Sequence, residues 1–150
     1  MIVIHHNPAC ATSRNVLHTI EAAGYAPVVI DYLEQGWTRP QLLGLFAAAG
    51  LTPRTALRET KSPAAELGLL EPGVSEARIL DAMLEHPVLV NRPIVCSQKG
   101  VRLCRPSEAV LDLLDNWPQG PFAKEDGEII IDADGRRVSD AAHGPRLSKP

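Results

Sequence analysis

The sequence predicts an α/β domain on a mixed four-stranded sheet, with a helical insertion between a βαβ half and a ββα half. Three observations lead there. Short runs rich in β-branched residues fall at positions 2–4, 27–33, 94–97 and 101–104. Between the first two runs, Val16, Leu17, Ile20 and Ala23 recur at helical spacing. Residues 38–86 carry helix starts and stops, and so separate two pieces of sheet.

Each element has a local cause. Ile2-Val3-Ile4 leads through His5-His6-Asn7-Pro8-Ala9-Cys10 into a helix opening near Ser13, which Gly24 stops. Residues 27–33 read as a buried strand, and strand, helix and strand in such short order make a parallel βαβ unit. Thr38 with Gln41 forms a capping box ahead of Leu42, Leu43, Leu45 and Phe46, with Gly50 as the stop. Residues 53–57 form a short helical turn leading to Arg58. Ser62-Pro63 starts another short helix, with Pro at the first helical position. Ser75 caps a longer one bearing Ile79, Leu80, Met83 and Leu84, which Pro87 ends.

Strand signals return at 88–90 and 94–97, and Lys99-Gly100 turns the chain into 101–104 to complete a hairpin. Arg105-Pro106-Ser107 opens a last helix with Val110, Leu111 and Leu114 on one face. Residues 128–132 and 136–138 suggest a small peripheral hairpin about Ala133-Asp134-Gly135. The reading is therefore one domain over 1–138, with its helical insertion over 38–86 and a loose polar tail over 139–150.

A chain of 150 residues suits a single domain, and 45% hydrophobic residues suffice for a core. The net charge of −3 gives no support for nucleic-acid or membrane-surface binding. No run approaches the length of a membrane span, and the N-terminus reads as a strand rather than a signal peptide. The expected location is the cytoplasm. Three cysteines, Cys10, Cys96 and Cys104, are too few for a disulfide scaffold.

Cys10 carries the chemistry. A thiol between a strand and a helix N-terminus sits at the positive end of the helix dipole, among amides with no intrahelical partner. Both features favour a thiolate and invite an anion. Cys10-Ala11-Thr12-Ser13 is C-x-x-S, so a dithiol cycle within the loop is excluded. Arg14 follows too closely for a cysteine-phosphatase loop.

Around this thiol, a protonated His6 would lower its pKa, whereas His5 points to the other side of the strand. Arg58, Arg92 and Arg105 stand at element ends on the sheet edge where Cys10 belongs, and converging guanidinium groups would hold a tetrahedral oxyanion. Ser13, Arg14 and Pro93 are supporting candidates. Arg54 and Arg102 are weaker, since they face water as readily. Two histidines and a cysteine without a fourth ligand argue against a metal. Cys96 and Cys104 are read as packing residues, a resolving role toward Cys10 being the alternative.

These residues together resemble the glutaredoxin- and glutathione-coupled arsenate reductases, an ArsC-like family. The resemblance rests on His6-Asn7-Pro8-Ala9-Cys10, Thr12-Ser13-Arg14-Asn15, Leu57-Arg58, His86-Pro87, Asn91-Arg92-Pro93-Ile94-Val95 and Leu103-Cys104-Arg105-Pro106-Ser107-Glu108. Lys124-Glu125-Asp126-Gly127-Glu128 extends it, so that it runs in order from about residue 2 to 138. It implies a thioredoxin-like fold with Pro93 held cis and facing the cysteine. It also implies Cys10 as catalytic residue, His6 as its tuner, and Arg58, Arg92 and Arg105 as holders of the arsenic oxyanion.

The resemblance implies no bound cofactor. Electrons come from glutathione as co-substrate and from glutaredoxin as partner, and a monomer suffices. On that reading the Cys10 thiolate attacks arsenate, glutathione attacks the adduct, and glutaredoxin removes the glutathione. Ala11 stands where members often carry glycine, so its methyl group is expected to restrict the loop or narrow the pocket. Glu59-Thr60 stands where many members are more basic. The rival readings are a thioredoxin-fold regulator of the Spx type that binds RNA polymerase, and a thiol reductase acting on another substrate.

Overall fold

The computed structural model describes residues 1–138; the expected loose tail at 139–150 lies outside the described residues. Strand β1 (Val3–His6) leads into α1 (Ala11–Ala22), which closes with Gly24 at φ +98. There the Tyr25 amide donates to the Ile20 carbonyl and the Gly24 amide to that of Glu21. These two bonds satisfy carbonyls the helix leaves open, and only glycine takes that φ without strain.

Strand β2 (Val28–Asp31) pairs parallel with β1, Val3 opposite Val28. It is shorter and more open than the expected buried strand over 27–33. It lies at the sheet edge with β1 as its one neighbour, which leaves Val28 and Val29 each 45% exposed. The strand ends because the Asp31 carboxylate accepts from the Leu33 amide and caps a one-turn helix, α2 (Tyr32–Gln35).

The insertion holds two of its expected helices. In α3 (Arg39–Ala49) the Thr38–Gln41 capping box forms and Gly50 closes the end at φ +70. In α4 (Glu76–Glu85) Ser75 accepts from the Arg78 amide, and Ile79, Leu80 and Met83 are buried. Between them the chain runs in turns, so the helix expected at Ser62-Pro63 does not form. The Pro63 and Ala64 carbonyls accept from the Leu67 and Leu69 amides at 3.0 Å each, and the Arg54 guanidinium donates to the carbonyls of Leu69 (2.7 Å), Glu71 (3.1 Å) and Val74 (3.3 Å).

The strand expected at 88–90 is a 3₁₀ turn, Pro87–Leu89, followed by a single antiparallel bridge between Val90 and Leu57. Strand β3 (Ile94–Ser97) pairs antiparallel with β1 and with β4 (Gly100–Leu103), giving the order β2-β1-β3-β4. Ser107–Leu113 is 3₁₀ rather than α-helical. All but Asp112 of its residues are buried, so packing rather than helical periodicity sets its path. The outer ribbon pairs β5 (Phe122–Ala123) with β6 (Ile129–Ile131), while 136–138 contributes one bridge, Ile131 to Arg137. A two-residue strand carries too little alternation to be seen in the sequence.

Two aliphatic cores flank the sheet. Ile2, Ile4, Val16, Ile20, Val95, Val110 and Ile130 fill the α1 face. Tyr32, Trp37, Leu42, Phe46, Ile79, Met83 and Ile94 fill the insertion face. The two-residue period of β1 assigns sides: Ile2 and Ile4 go one way, and His5 goes the other, against Trp37 at 5.2 Å.

Gly120 is the tightest backbone approach to the outer ribbon. A Cβ there would lie 1.8 Å from the Asp132 carbonyl oxygen and 3.1 Å from Ile131 Cγ2. Backbone must move to admit it, so Gly120→Ala is expected to cost roughly 1–3 kcal/mol, read as a lowered urea midpoint. An unchanged midpoint would mean the ribbon yields freely.

Candidate active site

The register of the sheet gathers the site. His5, Ile94 and Leu103 form one row across β1, β3 and β4. Because β3 runs against both neighbours, the chain leaving β1, the chain entering β3 and the chain leaving β4 all emerge at one edge. That edge carries the Cys10 loop, Arg92-Pro93 and Arg105. Arg58 joins them by a different route: its amide donates to the Leu89 carbonyl at 2.8 Å, and the Asn91 amide to that of Ala56 at 2.8 Å.

Cys10 is the N-cap residue of α1 and is 7% exposed. An Asx turn shapes the loop before it: Asn7 Oδ1 accepts from the Ala9 amide (2.9 Å), and the Asn7 carbonyl from the Cys10 amide (3.0 Å). Burial by itself would push the thiol up. The Ser13 amide, the Arg92 charge, the hydrogen bond from Arg105 and the Thr12 amide outweigh it and hold the thiol below its ordinary value of 9.0. Arg105 Nη1 lies 3.8 Å from Cys10 Sγ and also donates to the Arg92 carbonyl at 3.1 Å.

His6 enters through Ser13 and corrects one expectation. Its Nδ1 lies 2.7 Å from Ser13 Oγ, which also accepts from the Asn7 amide at 3.0 Å. Burial lowers the pKa of the ring, which disfavours its cationic form. The cationic help expected of it comes instead from Arg92 and Arg105. Fully buried Ser13 is the joint that fastens loop to helix.

Arg58, Arg92 and Arg105 line an open groove of about 550 Å³, together with Arg54, Thr55, Leu57, Glu59, Thr60 and Asn91. Asn91 Oδ1 accepts from both the Arg92 amide (3.2 Å) and Arg92 Nη1 (3.1 Å), which aims the guanidinium. Arg92 Nε is buried and has no hydrogen-bond partner among the described residues. Burial and the neighbouring Arg92 charge lower the pKa of Arg58, yet a guanidinium stays charged. Like charges forced together in this way are relieved by an anion. A smaller cavity of about 180 Å³, lined by Met1, Ile2, Tyr25 and Ser97 among others, lies toward the opposite end of β1 and takes no part.

The remaining candidates sort by contact. The Arg92–Pro93 bond is cis, as is Arg105–Pro106. Arg14 turns away from the groove, to Pro8 and Glu125. Ala11 is exposed in the first turn of α1 and does not line the groove. Cys104 is buried, with its thiol pushed up to about 12 by burial, and burial raises Cys96 as well.

Sequence reasoning passed over Asn91 and Tyr32. Asn91 was legible only as the neighbour of Arg92. Tyr32 was hidden by the reading of 27–33 as one strand. It stacks on Trp37 at 5.1 Å and donates to the Val90 carbonyl at 3.5 Å. Burial pushes its hydroxyl up to about 12, against the opposing charge of Arg92. Among the described residues no group of three or more His, Cys, Asp or Glu is placed to hold a metal, and no helix is long and apolar enough to cross a membrane.

A cysteine of lowered pKa at a helix N-terminus, with guanidinium groups beside it at one edge of a mixed four-stranded sheet, defines a thiol enzyme of the thioredoxin-like class. The chain belongs to the ArsC family, whose model matches residues 5–113. It is 76% identical over 138 residues to the arsenate reductase ArsI2 of Synechocystis sp., covering 92% of this chain and 99% of that one. It is 49% identical over 137 residues to an arsenate reductase of Escherichia coli, covering 91% and 97%. A solved arsenate reductase structure from Vibrio cholerae superposes with a TM-score of 0.71 at 39% identity, over 75% of this chain and 97% of that one.

The depressed pKa of Cys10 has a definite sign. Its contribution to stability is present above the unfolded-state value and is lost as pH falls through the folded one. In the native state iodoacetamide should label Cys10 well ahead of Cys96 and Cys104, with a pH midpoint below 9.0. Arg105→Gln should raise that midpoint by about one unit. Mass spectrometry of the labelled thiols checks both, and faster labelling of Cys96 would contradict the assignment.

Proposed function

We propose that the chain is an arsenate reductase, working as one domain over residues 1–138. The Cys10 thiolate attacks arsenate held by Arg58, Arg92 and Arg105. A sulfur–arsenic bond forms, an oxygen leaves as water, and the arginines offset the charge as it develops. A glutathione thiol then joins the adduct. Arsenic takes two electrons and departs as arsenite, leaving the two sulfurs joined as a Cys10–glutathione disulfide, which glutaredoxin clears. The external thiol is needed because Ser13, bonded to His6 and the Asn7 amide, stands where a dithiol enzyme keeps its second sulfur.

The observation that carries this reading is the meeting of Arg105 Nη1 with Cys10 Sγ at 3.8 Å beside a groove lined by all three arginines. One chain supplies every group, so a monomer suffices, and the glutathione pool of the cytoplasm suits the reductant. Phosphate matches arsenate in shape and charge. Selectivity therefore comes from sulfur attack on arsenic rather than from binding.

Arsenite production with arsenate, glutathione and glutaredoxin tests the proposal. Wild type should turn over, and Cys10→Ser should not. Arg58→Ala and Arg92→Ala should each lose roughly 10²–10³-fold in kcat/KM. A Cys10→Ser variant with full activity would sink the mechanism.

A further inference from the structure

Arg14 and Glu125 lie on the outer side of the Cys10 loop, with side chains 43% and 45% exposed. Every nitrogen of the Arg14 guanidinium is engaged. Nη1 donates to the Pro8 carbonyl at 2.9 Å, while Nε and Nη2 donate to the two oxygens of Glu125 at 3.2 and 2.8 Å. The Arg14 amide donates to the Cys10 carbonyl at 2.9 Å. The side chain thus ties the loop at Pro8, ahead of Cys10, while the backbone amide makes the first helical bond to Cys10.

Glu125 is held in turn from two directions. Its amide donates to Asn15 Oδ1 at 2.8 Å. Its neighbour Lys124 places Nζ 2.9 Å from Glu108, which is 2% exposed and lies three positions beyond Arg105. Residues 124 and 125 therefore brace the cysteine loop at one end and the chain behind Arg105 at the other. Fork-to-fork pairs of this kind fix orientation as well as charge.

We propose that Arg14 and Glu125 are positioning residues for the thiol, holding the loop so that Cys10 Sγ stays over the Thr12 and Ser13 amides and within reach of Arg105. This deepens the arsenate reading and rests on it for its use in turnover. The thiol geometry itself is independent of the substrate.

The test is the pH dependence of Cys10 alkylation in Glu125→Ala, Arg14→Met and the double variant, with Tm measured alongside. Removing a carboxylate acts through space to lower the midpoint of a nearby thiol or leave it unmoved. Loss of positioning does the opposite. Glu125→Ala should raise the midpoint by roughly half a unit, about a threefold loss of thiolate below it. Tm should stay close to wild type, because exposed ion pairs add little stability. Members of one chain of contacts are non-additive, so the double variant should match Arg14→Met alone.

An unmoved or lowered midpoint in Glu125→Ala would overturn the proposal, as would a fall in Tm without a midpoint change. A raised midpoint in a protein that makes no arsenite would keep the positioning role and reject the substrate.

Discussion

Making negative charge tolerable on a nearly buried sulfur is the constraint on which the rest of this structure depends. Desolvation works against the Cys10 thiolate, so each neighbouring feature that matters supplies either a dipole or a cation. The start of α1 supplies amides at Thr12 and Ser13, and the far side of the groove supplies Arg92 and Arg105. Those cations crowd one another, as the lowered Arg58 shows. An oxyanion bound beside them would relieve the crowding.

The sheet turns scattered residues into that arrangement. Antiparallel pairing of β3 with β1 and β4 sends three chain ends to one edge, and the Leu57–Val90 bridge brings a fourth segment to it. The polar supports are short and local: Asn91 on Arg92, Ser13 on His6, the Asn7 turn under Ala9. Each fixes a side chain or a loop that would otherwise cost entropy to order during the reaction.

What could be read beforehand was what local chemistry governs. The Thr38–Gln41 box, the Ser75 cap and the Gly24 and Gly50 stops all formed, because each is settled within a few residues. Cys10 at a helix start was legible for the same reason. The misreadings share an opposite cause. Turns stand near Ser62 where a helix was expected, and the far end of that stretch is tied by Arg54 to carbonyls 15 to 20 residues away from it. Residues 27–33 did not form one buried strand because β2 is an edge whose end Asp31 caps. Spacing alone gave His6 no partner but the thiol, whereas the fold buries the ring and sets it against Ser13.

The sequence by itself determined the cysteine at a helix start, the absence of a partner thiol in C-x-x-S, and the alternation of strands and helices, since these follow from residue type and short-range period. The tertiary structure decided which cations meet the sulfur, that Arg14 faces Pro8 and Glu125 instead of the groove, and that Asn91 aims Arg92 and lines the groove with it. Those outcomes depend on strand register, burial and contacts up to 111 residues apart, which no local pattern encodes.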